Sequence, residues 1–343
     1  MNTWGGRAGR RRAIGGTIAV LLCAVLSGQA GAQWADQPLP RPDLRNADGE
    51  PMVRVVATTT QVADFARIIG GMLAHVDPIL SANVDPSDFT LGPGDLQRLA
   101  FADLVVENGA GLEAAWMAPV VHGAPPGVRV MVTNRGARAL PEDGERYGPG
   151  WGRVIVPVAI ASRGLATSPA PHGDPRLWLA VPNAVRMVAN IRDALSTVAP
   201  PYASYFRGNA ARYTGELTGL DRTIEAQTAA LPRGRRTLVT TYGGLAYYAA
   251  RYGLTYVSLD IPAPGAGRVD VAALVARVRA QHVHAMLVTA SADPAVTAEI
   301  ARRAGVRVVT DWYADALGLP GSDGDTYVKM MQYDTNAIVT ALR

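Results

Sequence analysis

Residues 53–71 read V-R-V-V-A-T-T-T-Q-V-A-D-F-A-R-I-I-G-G. A short apolar run rich in β-branched residues, 53–57, is followed by three threonines whose hydroxyls suit a helix N-cap. Val62, Phe65, Ala66 and Ile69 then recur at helical spacing until Gly70-Gly71 stops the helix. This is a strand–turn–helix unit. A second one follows in residues 237–253, T-L-V-T-T-Y-G-G-L-A-Y-Y-A-A-R-Y-G, with its own strand, turn and helix. Further strands are expected at 104–107, 285–288 and 306–309, with a helix at 294–303 stopped by Gly305. Strands alternating with helices predict an α/β protein of two lobes with parallel sheets flanked by helices. Between the two units, 183–231 is helix-rich and interrupted at Pro200-Pro201. The stretch 202–231 contains no proline, enough for one backbone helix of about 45 Å joining the lobes. Such a rigid spine predicts small lobe rotations instead of a wide hinge closure.

The N-terminus carries Arg7, Arg10, Arg11 and Arg12, an apolar run over 13–26, and Ala30-Gly31-Ala32 before Gln33. That is the pattern of a secretory signal cleaved after Ala32, and it predicts a periplasmic protein. The apolar run is too short to span a bilayer, and no other segment approaches the roughly 20 apolar residues a span needs. Cys23, the sole cysteine, lies inside the signal; acylation of Cys23 is the alternative, although Leu22 is bulkier than the residue that usually precedes a lipidated cysteine. The mature chain then holds no thiol, which excludes disulfides and thiolate metal sites. The net charge of +4 belongs to the leader, since four of the 33 basic residues lie there and the other 29 balance 29 acidic ones. A neutral exported chain offers no global field for nucleic acid. Lys329 is the only lysine, so arginine is the default cation of this chain.

Residues 85–95, D-P-S-D-F-T-L-G-P-G-D, resemble the D-P-H-x-Y-x-P-x-P-x-D segment of the zinc- and manganese-binding periplasmic proteins that feed ABC importers. Asp174-Pro175-Arg176-Leu177-Trp178-Leu179 resembles that family's D-P-H-x-W-L, residues 239–245 its V-T-x-H-x-A-F, and Ala314-Asp315-Ala316-Leu317-Gly318 the loop whose aspartate completes the metal site. The resemblance runs from about Val53 to the C-terminus, including the closing segment 325–333. It implies two α/β lobes on one backbone helix, with an ABC permease and its ATPase as partners. The corresponding division is 1–32 signal peptide, 33–182 N-terminal lobe with a variable loop at 136–171, 183–231 linking helices, and 232–343 C-terminal lobe. Residues 33–52, polar and proline-rich, are expected to be a loose leader. The histidine-rich loop that metal-scavenging relatives often carry near 136–171 is missing, with only His172 present.

The carry-over places Ser87, Arg176 and Tyr242 where the family keeps three histidines, and retains Asp315. A guanidinium stays protonated and has no lone pair to donate. Zinc prefers nitrogen and sulfur donors, so this set is a poor zinc site. A hydroxyl, a guanidinium, a phenol and a carboxylate suit hydrogen bonding to an organic ligand or a metal chelate, with Arg176 pairing an acidic group. Asp88, Trp312 and Tyr313 are candidates for lining the same cleft. No cofactor is expected, except a metal inside a bound chelate. Two other readings stay open: Arg176 and Asp315 pair only to hold the lobes together, or His172, Asp88, Asp315 and Tyr242 form a displaced site for a divalent or ferric ion. His282 and His284 read as an edge pair of a strand, and Tyr247, Tyr248 and Tyr252 as half-buried packing. No G-x-S-x-G, H-E-x-x-H or G-x-x-x-x-G-K-[ST] motif occurs, which predicts a non-enzyme. The chain thus reads as a monomeric importer receptor with a degenerate metal site, or as a ligand-free scaffold or sensor of the same build.

Overall fold

The computed structural model describes residues 43–82, 84, 89–113, 116, 129–133, 175–241, 244–259, 261, 269–283, 285–288, 293–310, 312–313 and 315–343. The first sheet comprises β1 (Val53–Ala57), β2 (Ala74–Pro78), β3 (Leu104–Glu107) and β4 (Arg129–Val132), all parallel, in the order β2-β1-β3-β4. The second comprises β5 (Thr237–Thr240), β6 (Thr255–Ser258), β7 (Ala285–Leu287) and β8 (Arg307–Val309), again parallel and in the matching order β6-β5-β7-β8. The helices are α1 (Thr60–Gly70), α2 (Pro93–Phe101), α3 (Val181–Val198), α4 (Ala203–Ala229), α5 (Ala246–Tyr252), α6 (Val271–Ala280), α7 (Pro294–Ala304) and α8 (Tyr327–Leu342). The protein is therefore α/β, with two parallel sheets flanked by helices.

Local chemistry explains the elements. Thr59 caps α1 by accepting from the Val62 N–H, and Asp293 does the same for α7 at Ala295 and Val296. Alternation along the central strands buries both faces: Val55, Ala57, Leu104 and Val106 enter the main core, whereas Val56 and Val105 meet Leu99 and Trp116 on the other side. The second sheet repeats this, with Leu238 and Leu287 facing the main core and Val239 and Met286 facing Val275, Val278 and Ile300. Two buried faces require near-continuous apolar strands, which is what parallel sheets show.

Helix α4 spans 27 residues, about 40 Å at helical rise. Its stripe of Phe206, Ala210, Tyr213, Leu217, Leu220 and Ile224 is buried in the same core that takes residues from both sheets. Tyr247, Tyr248 and Tyr252 of α5 are fully buried, not half-buried, and the Tyr248 hydroxyl donates to Thr335 Oγ1 at 2.9 Å and that of Tyr252 to Asp221 at 3.0 Å. Residues 43–52 also differ from the expected loose leader. The Asn46 side chain accepts from the N–H groups of Asp48 and Glu50, and Glu50 accepts the Tyr202 hydroxyl at 2.6 Å, so turn chemistry ties this stretch to the α3–α4 corner.

Buried polar bonds join the two halves. The Asp64 carboxylate on α1 accepts from the Tyr327 N–H at 3.0 Å, the start of α8, and Thr60 Oγ1 accepts from the Leu317 N–H at 2.8 Å. The Tyr327 ring packs edge-on against Phe65, centroids 4.8 Å apart, and its hydroxyl donates to the Trp178 carbonyl at 2.5 Å. Nearby, Lys329 pairs with Asp325 at 2.8 Å on the surface.

Burial raises the Asp64 pKa from 3.8 to about 6, with Tyr327's N–H and Arg67 opposing and Asp325 and Glu216 adding to the rise. The folded chain thus holds a proton that the unfolded chain has already lost between about pH 4 and 6. The penalty is absent below that window and complete above it, about 3 kcal/mol at most. Asp64→Asn keeps the acceptor for Tyr327. It is expected to match the wild type in urea melts at pH 4 and to exceed it at pH 7.5; equal stabilities at both pH values would contradict a strained carboxylate.

Candidate functional site

In sheets of this order the chain reverses direction between β1 and β3, and between β5 and β7, leaving a crevice at the strand C-termini where ligands bind. The two crevices are built alike. The Thr58 N–H donates to Val106 O and the Thr241 N–H to Leu287 O, while Ile79 and Leu80 donate back to Ala57 and Thr58 as Leu259 and Ile261 do to Thr240 and Thr241. The second strand–turn–helix unit is a structural repeat of the first.

In the first crevice Glu113, fully buried, accepts from Thr58 Oγ1 at 2.6 Å, the Asn108 N–H at 2.7 Å and the Gly109 N–H at 3.0 Å. Burial, then the neighbouring Glu107, pushes its pKa well above the usual carboxylate range. Asn108 Nδ2 reaches the Pro175 carbonyl at 3.1 Å, joining this crevice to the segment that carries Arg176.

Arg176 precedes the buried 3₁₀ turn Leu177–Leu179 and α3. Its Nε donates to Asp315 Oδ1, and both side chains are buried, at 8% and 11% exposure. The guanidinium lies on the backbone of Gly244, just beyond β5. A Cβ at 244 would sit 2.9 Å from Arg176 Cδ and 3.0 Å from Nε, and Gly244 has φ +133, a region that side chains other than hydrogen rarely allow. Segments read from the second, third and fourth frames therefore meet at one place. Ser87, Asp88, His172, Tyr242 and His284 lie outside the described residues.

The other candidates have local partners. Trp312 Nε1 donates to the Val288 carbonyl at 2.9 Å. The Tyr313 ring lies against Gly318 and Gly324, where no Cβ would fit, and its N–H donates to buried Asp334 at 2.7 Å. Burial pushes the Asp334 pKa far up. His282 occupies a turn with φ 51 before β7. Among the described residues no group of three or more His, Cys, Asp or Glu side chains could hold a metal ion, and no helix is long and apolar enough to cross a membrane.

The kept parts of the frames have structural duties. Asp95 Oδ2 accepts from the Gly92 N–H at 2.8 Å and Pro93 occupies the first turn of α2, while Phe89 packs on Trp116 with centroids 5.2 Å apart. Sequence reasoning passes over Glu113, Gly244 and Asp64. Gly243-Gly244 beside a ligand position is the visible signal for a close approach at 244.

Two parallel α/β sheets with joined strand C-termini and a buried polar site between them define a two-lobe solute receptor. The description "Zinc-uptake complex component A periplasmic" matches residues 55–341, and the chain belongs to that family. It is 28% identical over 311 residues, 88% of this chain and 93% of the other, to the manganese-binding lipoprotein MntA of Bacillus subtilis. It is 24% identical to the manganese ABC transporter substrate-binding lipoprotein PsaA of Streptococcus mitis, over 84% of this chain and 89% of the other. Its fold is similar to that of the periplasmic zinc-binding protein TroA of Treponema pallidum, with TM-score 0.68 and 23% identity over 85% of this chain and 99% of that one. A manganese-bound periplasmic metal-binding protein of Candidatus Liberibacter asiaticus gives TM-score 0.70 at 18% identity, over 85% and 100% of the two chains. The chain is thus a solute-binding component of the metal ABC importer class and not an enzyme.

Glu113→Leu would take the acceptor from the Thr58 hydroxyl and the Gly109 N–H, while the Asn108 N–H keeps Thr58 Oγ1 at 3.0 Å, and is expected to cost on the order of 3 kcal/mol. Glu113→Gln, which keeps an acceptor, should lose far less. Equal losses by thermal and urea unfolding would show that hydrogen-bond acceptance is not what the position supplies.

Proposed function

We propose that this receptor serves a metal ABC importer and takes a cargo bringing its own donor atoms, a small organic acid or a metal chelate, in place of bare zinc or manganese. The observation that carries this reading is the buried Arg176–Asp315 pair on Gly244, at positions the sequence frames assign to the metal site. A bare dication would face a permanent positive charge there and would have to take Asp315 from it. An acidic cargo group can instead exchange with Asp315 on the guanidinium, which offers up to five donors. Ser87 and Tyr242 would add hydrogen bonds, and Asp88, Trp312 and Tyr313 would lie around the site. Lobes at 33–182 and 232–343, linked by 183–231, are part of this reading, as are transfer of cargo to a permease with its ATPase and a monomeric receptor.

A second reading is favoured by the relatives, whose names state manganese or zinc binding. In it a divalent or ferric ion binds directly at a displaced site drawn from His172, Asp88, Tyr242 and Asp315. The relatives' names also include lipoproteins, which keeps acylation of Cys23 beside cleavage after Ala32 as a route of export. The intact mass of the exported chain separates these: a form starting at Gln33, or a lipid-modified form starting at Cys23.

Native mass spectrometry with elemental analysis of the exported protein decides the cargo. An organic or chelate adduct that is lost in Arg176→Ala is expected. Stoichiometric bare metal would establish the second reading, and neither adduct would leave a ligand-free scaffold or sensor. Restoring the frames with Ser87→His, Arg176→His and Tyr242→His together is expected to create one-to-one zinc binding in calorimetry, where the unaltered chain shows none.

A further inference from the structure

Arg176 and Asp315 belong to opposite halves of the molecule. Arg176 leads into α3, which packs on α1 and the first sheet, whereas Asp315 lies between β8 and α8 of the second. Gly244, under the guanidinium, follows β5 of the second half. Two residues beyond Asp315, the Leu317 N–H is held by Thr60, and beyond that the Tyr327 N–H by Asp64. With the Tyr327 hydroxyl on the Trp178 carbonyl, the segment 315–327 is therefore fastened to the first half by four bonds among the described residues, one of which is an ion pair.

A carboxylate as buried as Asp315, at 11% exposure, is costly unless a cation meets it. In a receptor that closes on a cation, that partner arrives with the cargo. Here the chain supplies it. Gly244 is what makes the supply possible, because any Cβ at that position would push into the Arg176 side chain.

We propose that Arg176 is a tethered cation that latches the two halves together in the absence of cargo, with Gly244 as the residue that seats it. Closure in this chain is then independent of metal. This deepens the reading of Arg176 as the charged centre of the site and concerns its regulation. An incoming acid opens or replaces the latch by taking the guanidinium from Asp315. A protein at the membrane that responds to the closed form would meet it whether or not metal is present.

The test is hydrogen exchange on the exported chain, stripped of ligand by chelator and dialysis, read at the amides of 315–319. In the unaltered protein exchange is expected to be slow, and neither chelator nor added zinc should change it by more than about twofold. Arg176→Gln is expected to speed it at least about tenfold, as loss of one buried charge partner frees the other. Asp315→Asn should do the same, and the double variant should be no faster than either single one, as a shared latch requires. Gly244→Ala should reproduce the effect in this segment while leaving the amides of α6 and α7 unchanged. If that variant fails to fold, the Arg176–Asp315 cycle still decides. Exchange in the unaltered chain as fast as in Arg176→Gln, additive single effects, or slowing by zinc would overturn the proposal. Because no cargo is present, a failed search for cargo leaves the latch standing, and a broken latch leaves the cargo search open.

Discussion

An open sheet needs other elements to cover its inner face, and in this protein one seam covers both. The stripe along α4, from Phe206 to Ile224, lies in a core that also receives Val55, Leu104 and Val106 from the first sheet and Leu238 and Leu287 from the second. Helices α1, α3, α5 and α8 complete it. Because the same side chains serve both halves, a change of angle between the sheets repacks a close-packed interior, which resists continuous deformation. The polar bonds from Thr60 and Asp64 to Leu317 and Tyr327 add to that seam and tie α1 to the segment between β8 and α8.

Both strand–turn–helix units are legible in the sequence because their signals are local. Val53–Ala57 and Thr237–Thr240 are buried on both faces, and the threonines and glycines after them punctuate within a few residues. Of the outer strands, Arg307–Val309 falls where a strand is expected, but β2 and β6 escape. Ala74–Pro78 mixes His75 and Asp77 with two buried residues, and Thr255–Ser258 is partly exposed throughout, so neither carries an apolar run to notice. The turn at 43–52 escapes a sequence reading for a similar reason: its order comes from the Asn46 side chain and from Tyr202, far away in the chain.

The site is legible by position and not by arrangement. The four frames can be aligned residue by residue, and they lead to Arg176 and Asp315, which lie 139 residues apart and form a pair. The seat beneath the arginine cannot be seen that way, since Gly244 acts through the space its missing Cβ leaves. The residues that make up the frames around these positions have structural roles of their own. Asp95 caps α2, Phe89 packs on Trp116, and Leu177, Trp178 and Leu179 are core, so each has a part in the fold that does not depend on a ligand. Within these frames, the residues that carry structural duty are distinct from the positions at which ligation is read.

The surface pair of Lys329 and Asp325 has a practical side. With a single lysine in the whole chain, an amine-reactive dye can react at one side chain besides the N-terminus. That side chain is half exposed and stands two residues from the N–H that Asp64 holds. The molecule carries a ready-made attachment point for a fluorescent reporter, placed at the junction whose movement one would wish to watch.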